Sequence, residues 1–287
     1  MTDAVLGLLL VAGLCHAIWN ALARTVRERE AFFALMQAAA IVLYAPLMLR
    51  LLLQNGYPVR VLPLAAASAL FEIAYFICLA RAYRAGSFLC VYPVARGSAP
   101  VITTVISLLF LGLRPSATGL AGIALVAAGI LSIGRTSLRL SGLRRQWLQP
   151  GTGWALLTGT CTAGYTVCDG IAAHLMVPVL YAYSLFFAIL PGMAYLDRGR
   201  VTRTAIVEVL RREHWKMLAA GFLMFGVSAI TLTAMSRAPV AYVAATREIS
   251  IVFATAIGAL FLKERPTKIT FAAILAVAVG VACIRLS

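Results

Sequence analysis

Apolar segments of about 18 to 24 residues recur along the whole chain, and their length limits the folds that are open to it. An α-helix rises about 1.5 Å per residue, so each segment is long enough to cross a hydrocarbon layer about 30 Å thick. The sequence therefore predicts an all-α integral membrane protein with ten transmembrane helices, whose ends are uncertain by about 2–4 residues. The predicted spans are 4–23, 31–53, 62–83, 88–112, 116–134, 151–173, 177–196, 216–235, 239–262 and 268–285.

Composition supports a membrane class. Hydrophobic residues make up 62% of the 287 residues and charged residues only 12%, whereas soluble domains are about half apolar and a quarter charged. The net charge of +15 is better explained by basic loops between spans than by nucleic-acid binding, so the expected surroundings are the lipid bilayer. The opening "MTDAVLG" has no basic residue, so we interpret the first span as a retained helix.

Basic residues are concentrated in alternate loops. The longest of these loops, about 135–150 and 197–215, are too short for a soluble domain, so any function must lie within or between the helices. Because Lys and Arg are enriched in cytoplasmic loops, this distribution places both termini outside.

The second half of the sequence echoes the first. "GLCHAIWN" (13–20) aligns with "GTCTAGYT" (159–166), and 84–116 aligns with 237–267 with a gap of two residues. This predicts two five-helix repeats, 1–134 and 151–287, joined by the basic loop 135–150. Since five is odd, the two copies must cross the membrane in opposite directions and form an inverted repeat.

The alignment places Arg96 on Arg247, each about 12 Å into its span. A guanidinium fork suits a carboxylate or phosphate, so both arginines are predicted substrate contacts. Pro93 and Pro100 flank Arg96 in "VYPVARGSAP" and predict a kinked or locally unwound fourth helix that exposes it to a cavity. The alternative is a structural ion pair of Arg96 with an intramembrane acid, Glu72 or Asp169.

Further polar and aromatic residues in the spans are candidates for the same pocket, because ionised groups in a bilayer usually face the bundle interior. Residues spaced i, i+3 and i+4 share one helix face, and an aromatic wall with a few polar groups is typical of a small-molecule site. The predicted binding residues besides the arginines are His16, Trp19, Asn20, Tyr92 and Tyr165.

Three acids inside the spans have predicted roles in coupling or charge balance: Glu72, Asp169 and Glu248. Glu248 follows Arg247 directly, so on a helix the two side chains point about 100° apart and cannot both face one small cavity squarely. We interpret Glu248 as an internal partner that offsets the nearby cations, or alternatively as a proton-coupling carboxylate.

No motif indicates a cofactor, a metal site or a catalytic residue. The six cysteines fit packing inside helices better than a zinc or disulfide pattern. Small-residue stripes in 122–134 and 272–283 allow close helix contact, either within one chain or in a homodimer, so the sequence leaves monomer and homodimer open.

Several motifs together resemble the drug/metabolite transporter superfamily, specifically bacterial ten-helix proteins with two EamA domains. They are "HAIWNALAR" in the first span, "YPVARGSAP" in the fourth, "GYTVCDG" in the sixth, and the ends "LFLGLRPS" and "LFLKERPT". The resemblance covers essentially the whole chain. It implies a transporter of small organic solutes, often an exporter, with a central cavity, alternating access and a location in a bacterial cytoplasmic membrane.

The chain departs from this family pattern at two points. Leu113 stands where an acidic residue is usual, so the first turn lacks the ion pair that Glu264 and Arg265 could make in the second. Proteins of this family usually have cytoplasmic termini, whereas the charge distribution here places them outside.

Three functions remain open from the sequence. The first is a secondary transporter, an exporter of a small anionic or zwitterionic metabolite such as an amino acid, that binds it through Arg96 and Arg247. The second is a proton-coupled exporter of cationic or aromatic drugs that uses an intramembrane carboxylate. An intramembrane enzyme or an accessory protein fits less well, because the polar residues scatter toward the membrane centre.

Overall fold

The computed structural model describes residues 1–86, 88–133, 150–196, 198–199, 201–261 and 267–287, with backbone alone at 88–90 and 258–261. Residues 135–149 of the predicted connecting loop, and Glu264 and Arg265, lie outside the described residues. The described chain is all-α and contains no strand. Its helices are α1 (Asp3–Arg24), α2 (Arg29–Asn55), α3 (Leu62–Ala85), α4 (Phe88–Phe110), α5 (Ala117–Ser132), α6 (Thr152–Ala172), α7 (Pro178–Leu196), α8 (Arg203–Arg212), α9 (His214–Met235), α10 (Val240–Arg247), α11 (Ser250–Phe261) and α12 (Lys268–Arg285).

Membrane-length helices dominate this set. Eight segments are long and apolar enough to cross a membrane, one of them being the combined α10 and α11 from Val240 to Ile257. Helix α5 is apolar but has only 16 residues, and the 21-residue α6, rich in Gly and Thr, is not among the eight. A total of ten crossings therefore stays a prediction.

Side-chain caps explain where the fifth helix of each predicted half begins. The hydroxyl of Ser116 accepts from the N–H of Gly119 at 3.0 Å, and that of Thr267 accepts from the N–H of Thr270 at 3.2 Å. Such caps satisfy one of the N–H groups that a helix start leaves unpaired. The Ser and Thr that end the aligned "RPS" and "RPT" sequences are thus helix N-caps.

The predicted unwinding of the fourth helix is wrong. Helix α4 runs without interruption through Pro93 and Pro100. A proline in a transmembrane helix removes one backbone donor, and neighbouring helices and hydroxyl side chains can accommodate this loss. The hydroxyl of Thr104, for example, donates to the carbonyl of Pro100 at 2.7 Å.

The break lies instead in the ninth predicted span. Helix α10 ends at Arg247 and α11 begins at Ser250. Between them the N–H of Glu248 donates to Ala245 at 3.2 Å and that of Ile249 donates to Thr246 at 3.0 Å, which are the i to i+3 bonds of a tightened turn. No proline marks this position in the sequence.

The two halves pack through matching contacts. Helix α1 packs against α9, α10 and α11, while its counterpart α6 packs against α3 and α4. These partners are the third and fourth helices of the opposite half in each case. Helices α5 and α12, the fifth of each half, pack against each other. These particular contacts are interchanged when the halves are exchanged, while a two-fold relation between the halves and their inverted orientation in a membrane stay predictions.

The predicted small-residue stripes meet inside one chain. A Cβ atom added to Gly122 would lie 2.6 Å from the carbonyl oxygen of Gly280, and one added to Gly280 would lie 2.7 Å from that of Gly122. Glycine lets two helix backbones approach this closely. Because these faces of α5 and α12 cover each other, they are not available for a homodimer.

The two ends of the described chain lie together. Arg285 donates its Nε–H to the carboxylate of Asp3 at 2.5 Å, which links the start of α1 to the end of α12. Both termini are therefore at the same end of the molecule, as an even number of crossings requires. That this end faces outside stays a prediction.

Candidate functional site

Two cavities lie where helices of both halves meet. The first, about 240 Å³ including the space at its opening, is narrow and has interior room for about one water molecule. Its polar lining comprises His16, Arg96, Thr231, Arg247 and Ser250. The second, about 540 Å³ including the space at its opening, has apolar and polar sides. Its apolar side includes Leu185, Phe186, Ile189, Leu232 and Met235, and its polar side comprises Glu72, Tyr165, Asp169, Ser228, Thr231 and Arg247.

Arg247 lies between the cavities, because it lines both of them together with Val227 and Thr231. It is the last residue of α10, and the turn that follows ends the regular helix there. Among the described residues no carboxylate lies within 4.0 Å of its guanidinium. A cation in this position can act on an anionic group in either cavity.

Arg96 has a different environment. Its Nη2 lies 3.2 Å from Oε2 of Glu248, while its Nε is buried without a hydrogen-bond partner. The pair joins α4 to the turn after α10, and Glu248 is only 7% exposed. The charge of Arg96 is thus offset by Glu248, not by Glu72 or Asp169 as the alternative interpretation expected.

The remaining two acids differ in their hydrogen bonds. One carboxylate oxygen of Asp169 accepts from the hydroxyls of Ser68 at 2.6 Å and Tyr181 at 3.0 Å. Glu72 Oε2 is buried and has no hydrogen-bond partner. Two donors stabilise a charged carboxylate, whereas an unpaired buried oxygen carries a desolvation penalty. Asp169 is therefore held in place, whereas Glu72 has unused hydrogen-bonding capacity, as does Oε2 of Glu248 despite its ion pair with Arg96.

Equivalent glycines support the two arginines. A Cβ atom on Gly13 of α1 would lie 2.8 Å from Cγ2 of Ile249, and one on Gly159 of α6 would overlap the side chain of Ser98. Ile249 and Ser98 each follow one of the arginines by two positions. The glycines that align in "GLCH" and "GTCT" thus let the first helix of each half approach the arginine-bearing helix of the other half.

The predicted residues of α1 do not all reach a cavity. His16 lines the first cavity, but Trp19 packs edge-to-face on His16 at 5.1 Å and on Phe33 at 6.4 Å. The side-chain amide of Asn20 donates to the carbonyl of His16 at 2.8 Å, so it is engaged within its own helix. A shared helix face therefore did not suffice to predict a shared pocket.

The two predicted tyrosines separate as well. Tyr165 lines the second cavity and packs edge-to-face with Tyr75 at 6.3 Å. Tyr92 lines neither of the two cavities described above. The binding roles of these residues stay predictions.

Sequence reasoning missed several hydroxyl groups of the site. Thr231 lines both cavities, is 4% exposed, and its buried Oγ1 has no hydrogen-bond partner. Ser228 lies one turn earlier on α9, and Ser68 and Tyr181 hold Asp169. Small polar residues within otherwise apolar spans were the available signal, since such groups commonly hydrogen-bond between helices.

Several apolar helices of membrane length surround these polar cavities, and this arrangement defines a multi-pass membrane protein. Residues 149–286 match the model of the EamA-like transporter family, which belongs to the drug/metabolite transporter superfamily. This region contains Asp169, Arg247 and Glu248. The second half is therefore similar to a transporter family, whereas a second EamA domain in the first half stays a prediction.

A solved structure described only as "Crystal structure of protein" has a similar fold. It superimposes with a TM-score of 0.69 over 100% of this chain and 98% of its own, at 16% sequence identity. At that identity the similarity concerns the fold alone. No curated protein matches the chain.

Proposed function

We propose that this protein is a secondary active transporter that exports a small anionic or zwitterionic organic metabolite, such as an amino acid, by alternating access. The cavities between the halves are the proposed binding region. We place the protein in a bacterial cytoplasmic membrane with both termini outside, acting without a cofactor, as a monomer or homodimer.

One observation carries this proposal: Arg247 lines both cavities, and no described carboxylate lies within 4.0 Å of it. A cation in a span that forms no contact ion pair is costly to bury, and such residues mark substrate or ion pathways. Glu72 and Asp169 line the second cavity with Arg247 but do not contact its guanidinium, so a bound carboxylate or phosphate would supply the direct, two-pronged contact. For a zwitterion, Glu72 in the second cavity is suited to accept from an ammonium group.

Arg96 is the second proposed contact. Glu248 holds one side of its guanidinium in the described state, but the buried Nε has no hydrogen-bond partner. A substrate anion that bound Arg96 would compete with Glu248 for it. Since this pair links α4 of the first half to the turn after α10 of the second, its release offers a route from substrate binding to movement of the halves.

Ligand-dependent thermal unfolding of the detergent-purified protein tests the proposal, because a ligand that binds only the folded state raises the unfolding midpoint. A panel of anionic, zwitterionic and cationic metabolites is compared on wild type, Arg247→Gln and the double variant R96Q/E248Q. The double variant removes both charges of the pair, so it leaves no acid unpaired. Arg237→Gln, an exposed site just before α10, is the matched control.

We expect anions or zwitterions to stabilise wild type and Arg237→Gln, with the shift lost in Arg247→Gln and reduced in R96Q/E248Q. Transport of the ligand found in this way is then measured in proteoliposomes. Equal stabilisation of all four proteins by anions would refute a substrate contact at either arginine. Binding without any movement across the vesicle membrane would point to an accessory protein.

A second function has one observation in its favour. Glu72 Oε2 is buried and unpartnered beside a cavity that also contains Tyr165 and Phe186. This combination suits a proton-coupled exporter of cationic or aromatic drugs, with Glu72 exchanging a proton for a cationic substrate. In that case cations stabilise the protein and their effect survives in Arg247→Gln.

The pH dependence of transport decides this alternative. Glu72→Gln should abolish the dependence, while Asp169→Asn, which changes an acid already held by two hydroxyls, should lower activity without abolishing it. If transport stays equally pH-dependent in Glu72→Gln, Asp169→Asn and Glu248→Gln, proton coupling through these acids is excluded.

A further inference from the structure

Helix α8 has an outward surface that the transport proposal does not use. Ala205 and Val209 are buried against α2, in a cluster that includes Phe32 and Met36. The opposite surface of α8 carries the exposed residues Arg203, Thr204, Val207, Leu210 and Arg211. Val207 is four residues after Arg203, and Leu210 and Arg211 follow Val207 by three and four residues, so these four side chains share one surface with an arginine at each end.

The next helix along the chain also has exposed apolar residues. Val207 and Leu210 are 38% and 46% exposed. Trp215, in the first turn of α9, is 54% exposed, and Leu218 and Phe222 follow on the same helix at 41% and 56%. Because α9 is a membrane-length apolar helix, these three residues form a lipid-facing stripe with a tryptophan at its end.

The position of Trp215 sets the depth of α8. Tryptophan is enriched at the membrane–water interface, where its ring lies at the level of the headgroups. Helix α8 ends three residues before Trp215, so it lies next to that level. A helix with apolar residues and arginines on one exposed surface at this depth has the composition of an interfacial helix.

The charges on this surface are not satisfied within the described protein. Lys216 is paired with Glu213 at 2.7 Å, but no described carboxylate, Glu208 included, lies within 4.0 Å of Arg203 or Arg211. The helix dipole favours a cation at Arg211 in the last turn but disfavours one at Arg203 in the first. The dipole therefore does not account for both arginines, whereas an external anion would.

We propose that α8 lies in the membrane interface and binds anionic phospholipid headgroups through Arg203 and Arg211, with Val207 and Leu210 at the edge of the acyl chains. The arginine forks suit a phosphodiester, and the adjacent apolar residues suit the glycerol and upper acyl region of the same lipid. This inference is independent of which solute the protein transports.

Quenching of Trp215 fluorescence measures the lipid next to α8. The full-length protein is reconstituted in phosphatidylcholine that contains a minor fraction of phosphatidylglycerol, with bromine on the acyl chains of one lipid or the other. The difference between wild type and Trp215→Phe isolates the signal of Trp215 from the other tryptophans of the chain. The quantity compared is quenching per mole fraction of each brominated lipid.

We expect brominated phosphatidylglycerol to quench Trp215 more than brominated phosphatidylcholine at equal mole fraction, by at most on the order of fivefold per arginine. The variant R203Q/R211Q should lose this preference, and R203K/R211K should keep most of it. The control R50Q/R60Q changes two exposed arginines in α2 and the turn before α3, and should leave the preference unchanged.

Three results would overturn the proposal. Equal quenching by both lipids in wild type means an ordinary lipid boundary without headgroup selection. An unchanged preference in R203Q/R211Q places the selectivity elsewhere. If inorganic phosphate in phosphatidylcholine membranes raises the unfolding midpoint through the same two arginines, the surface is a site for soluble anions. If R203Q/R211Q fails to fold, R203K/R211K is compared with wild type instead. The lysine variant is expected to keep most of the preference for phosphatidylglycerol. Loss of that preference would contradict headgroup binding through the positive charges at positions 203 and 211.

Discussion

Arg96 and Glu248 form an ion pair across the interface between the two halves, with 3.2 Å between Nη2 and Oε2. Both side chains are largely buried, at 21% and 9% exposure. The pair fixes α4 against the turn that separates α10 from α11. A buried charge that loses its partner is costly, so each member should depend on the other for folding.

Glu248→Gln should therefore destabilise the protein by about 3–5 kcal/mol, the usual cost of leaving one charge of a buried pair uncompensated. The double variant R96Q/E248Q should recover part of this loss. Thermal unfolding in detergent measures both. Asp3→Asn, which removes an exposed ion pair with Arg285, is the control and should change little. A single variant as stable as wild type would show that the pair does not stabilise the fold.

How much of this arrangement was predictable depends on the kind of interaction. Runs of apolar residues predicted the membrane-length helices, because helix length and bilayer thickness are matched locally. Glu248 was interpreted from the sequence as an internal partner of the nearby cations, and it pairs with Arg96. Which of the two arginines it would contact was not predictable, because that depends on how α4 and α10 are rotated against each other. Sequence spacing showed that Arg247 and Glu248 must point in different directions.

The helix break shows the same limit. Two prolines predicted an interruption beside Arg96, yet α4 is continuous, and the interruption occurs at Glu248 where no proline stands. Proline removes a local donor, but in a bundle the surrounding helices decide whether the backbone opens. Small polar residues such as Thr231 were missed because a single hydroxyl in an apolar span has no distinctive pattern.

The close approach of the halves gives a second prediction. Gly13→Ala places a Cβ atom 2.8 Å from Ile249, and Gly159→Ala places one 3.0 Å from the carbonyl oxygen of Ala95. Overpacking of this kind costs about 1–3 kcal/mol. Both variants should lower the unfolding midpoint, and both should lower transport because they displace the helix that carries Arg247 or Arg96.

Each of these glycines has a control in its own helix. A Cβ atom on Gly7 of α1 or on Gly153 of α6 meets no atom within 4 Å. Gly7→Ala and Gly153→Ala should therefore be neutral or slightly stabilising, since alanine is the better helix former. If the control and test variants lose the same stability, the cause is the helix backbone and not the contact between halves.

The anchoring of Asp169 gives a third prediction. Its carboxylate accepts from Ser68 and Tyr181, and hydrogen bonds to a charged group contribute about 1.5–3 kcal/mol each. Ser68→Ala and Tyr181→Phe should each lower stability by about this amount. Because both bonds end on the same oxygen, the double variant should not show the sum of the single effects.

Thermal unfolding of both single variants and the double variant measures this coupling. Tyr57→Phe is the matched control, since it removes a bond between two neutral hydroxyls, Tyr57 and Ser184, at 3.0 Å. That loss should be nearer 1 kcal/mol. Strict additivity of Ser68→Ala and Tyr181→Phe would indicate that the two hydroxyls act separately and that Asp169 is not the group they share.

The last prediction concerns the contact between α5 and α12. A variant in this contact distinguishes packing within one chain from packing between two subunits. Gly122→Val adds a branched side chain where a single Cβ already lies 2.6 Å from the carbonyl oxygen of Gly280. The variant should unfold at a lower temperature by more than either alanine variant above, because the obstructing atoms belong to the backbone. Its molar mass in detergent, measured by light scattering, should match that of wild type. A change in mass without a change in unfolding midpoint would instead place this stripe at a subunit interface.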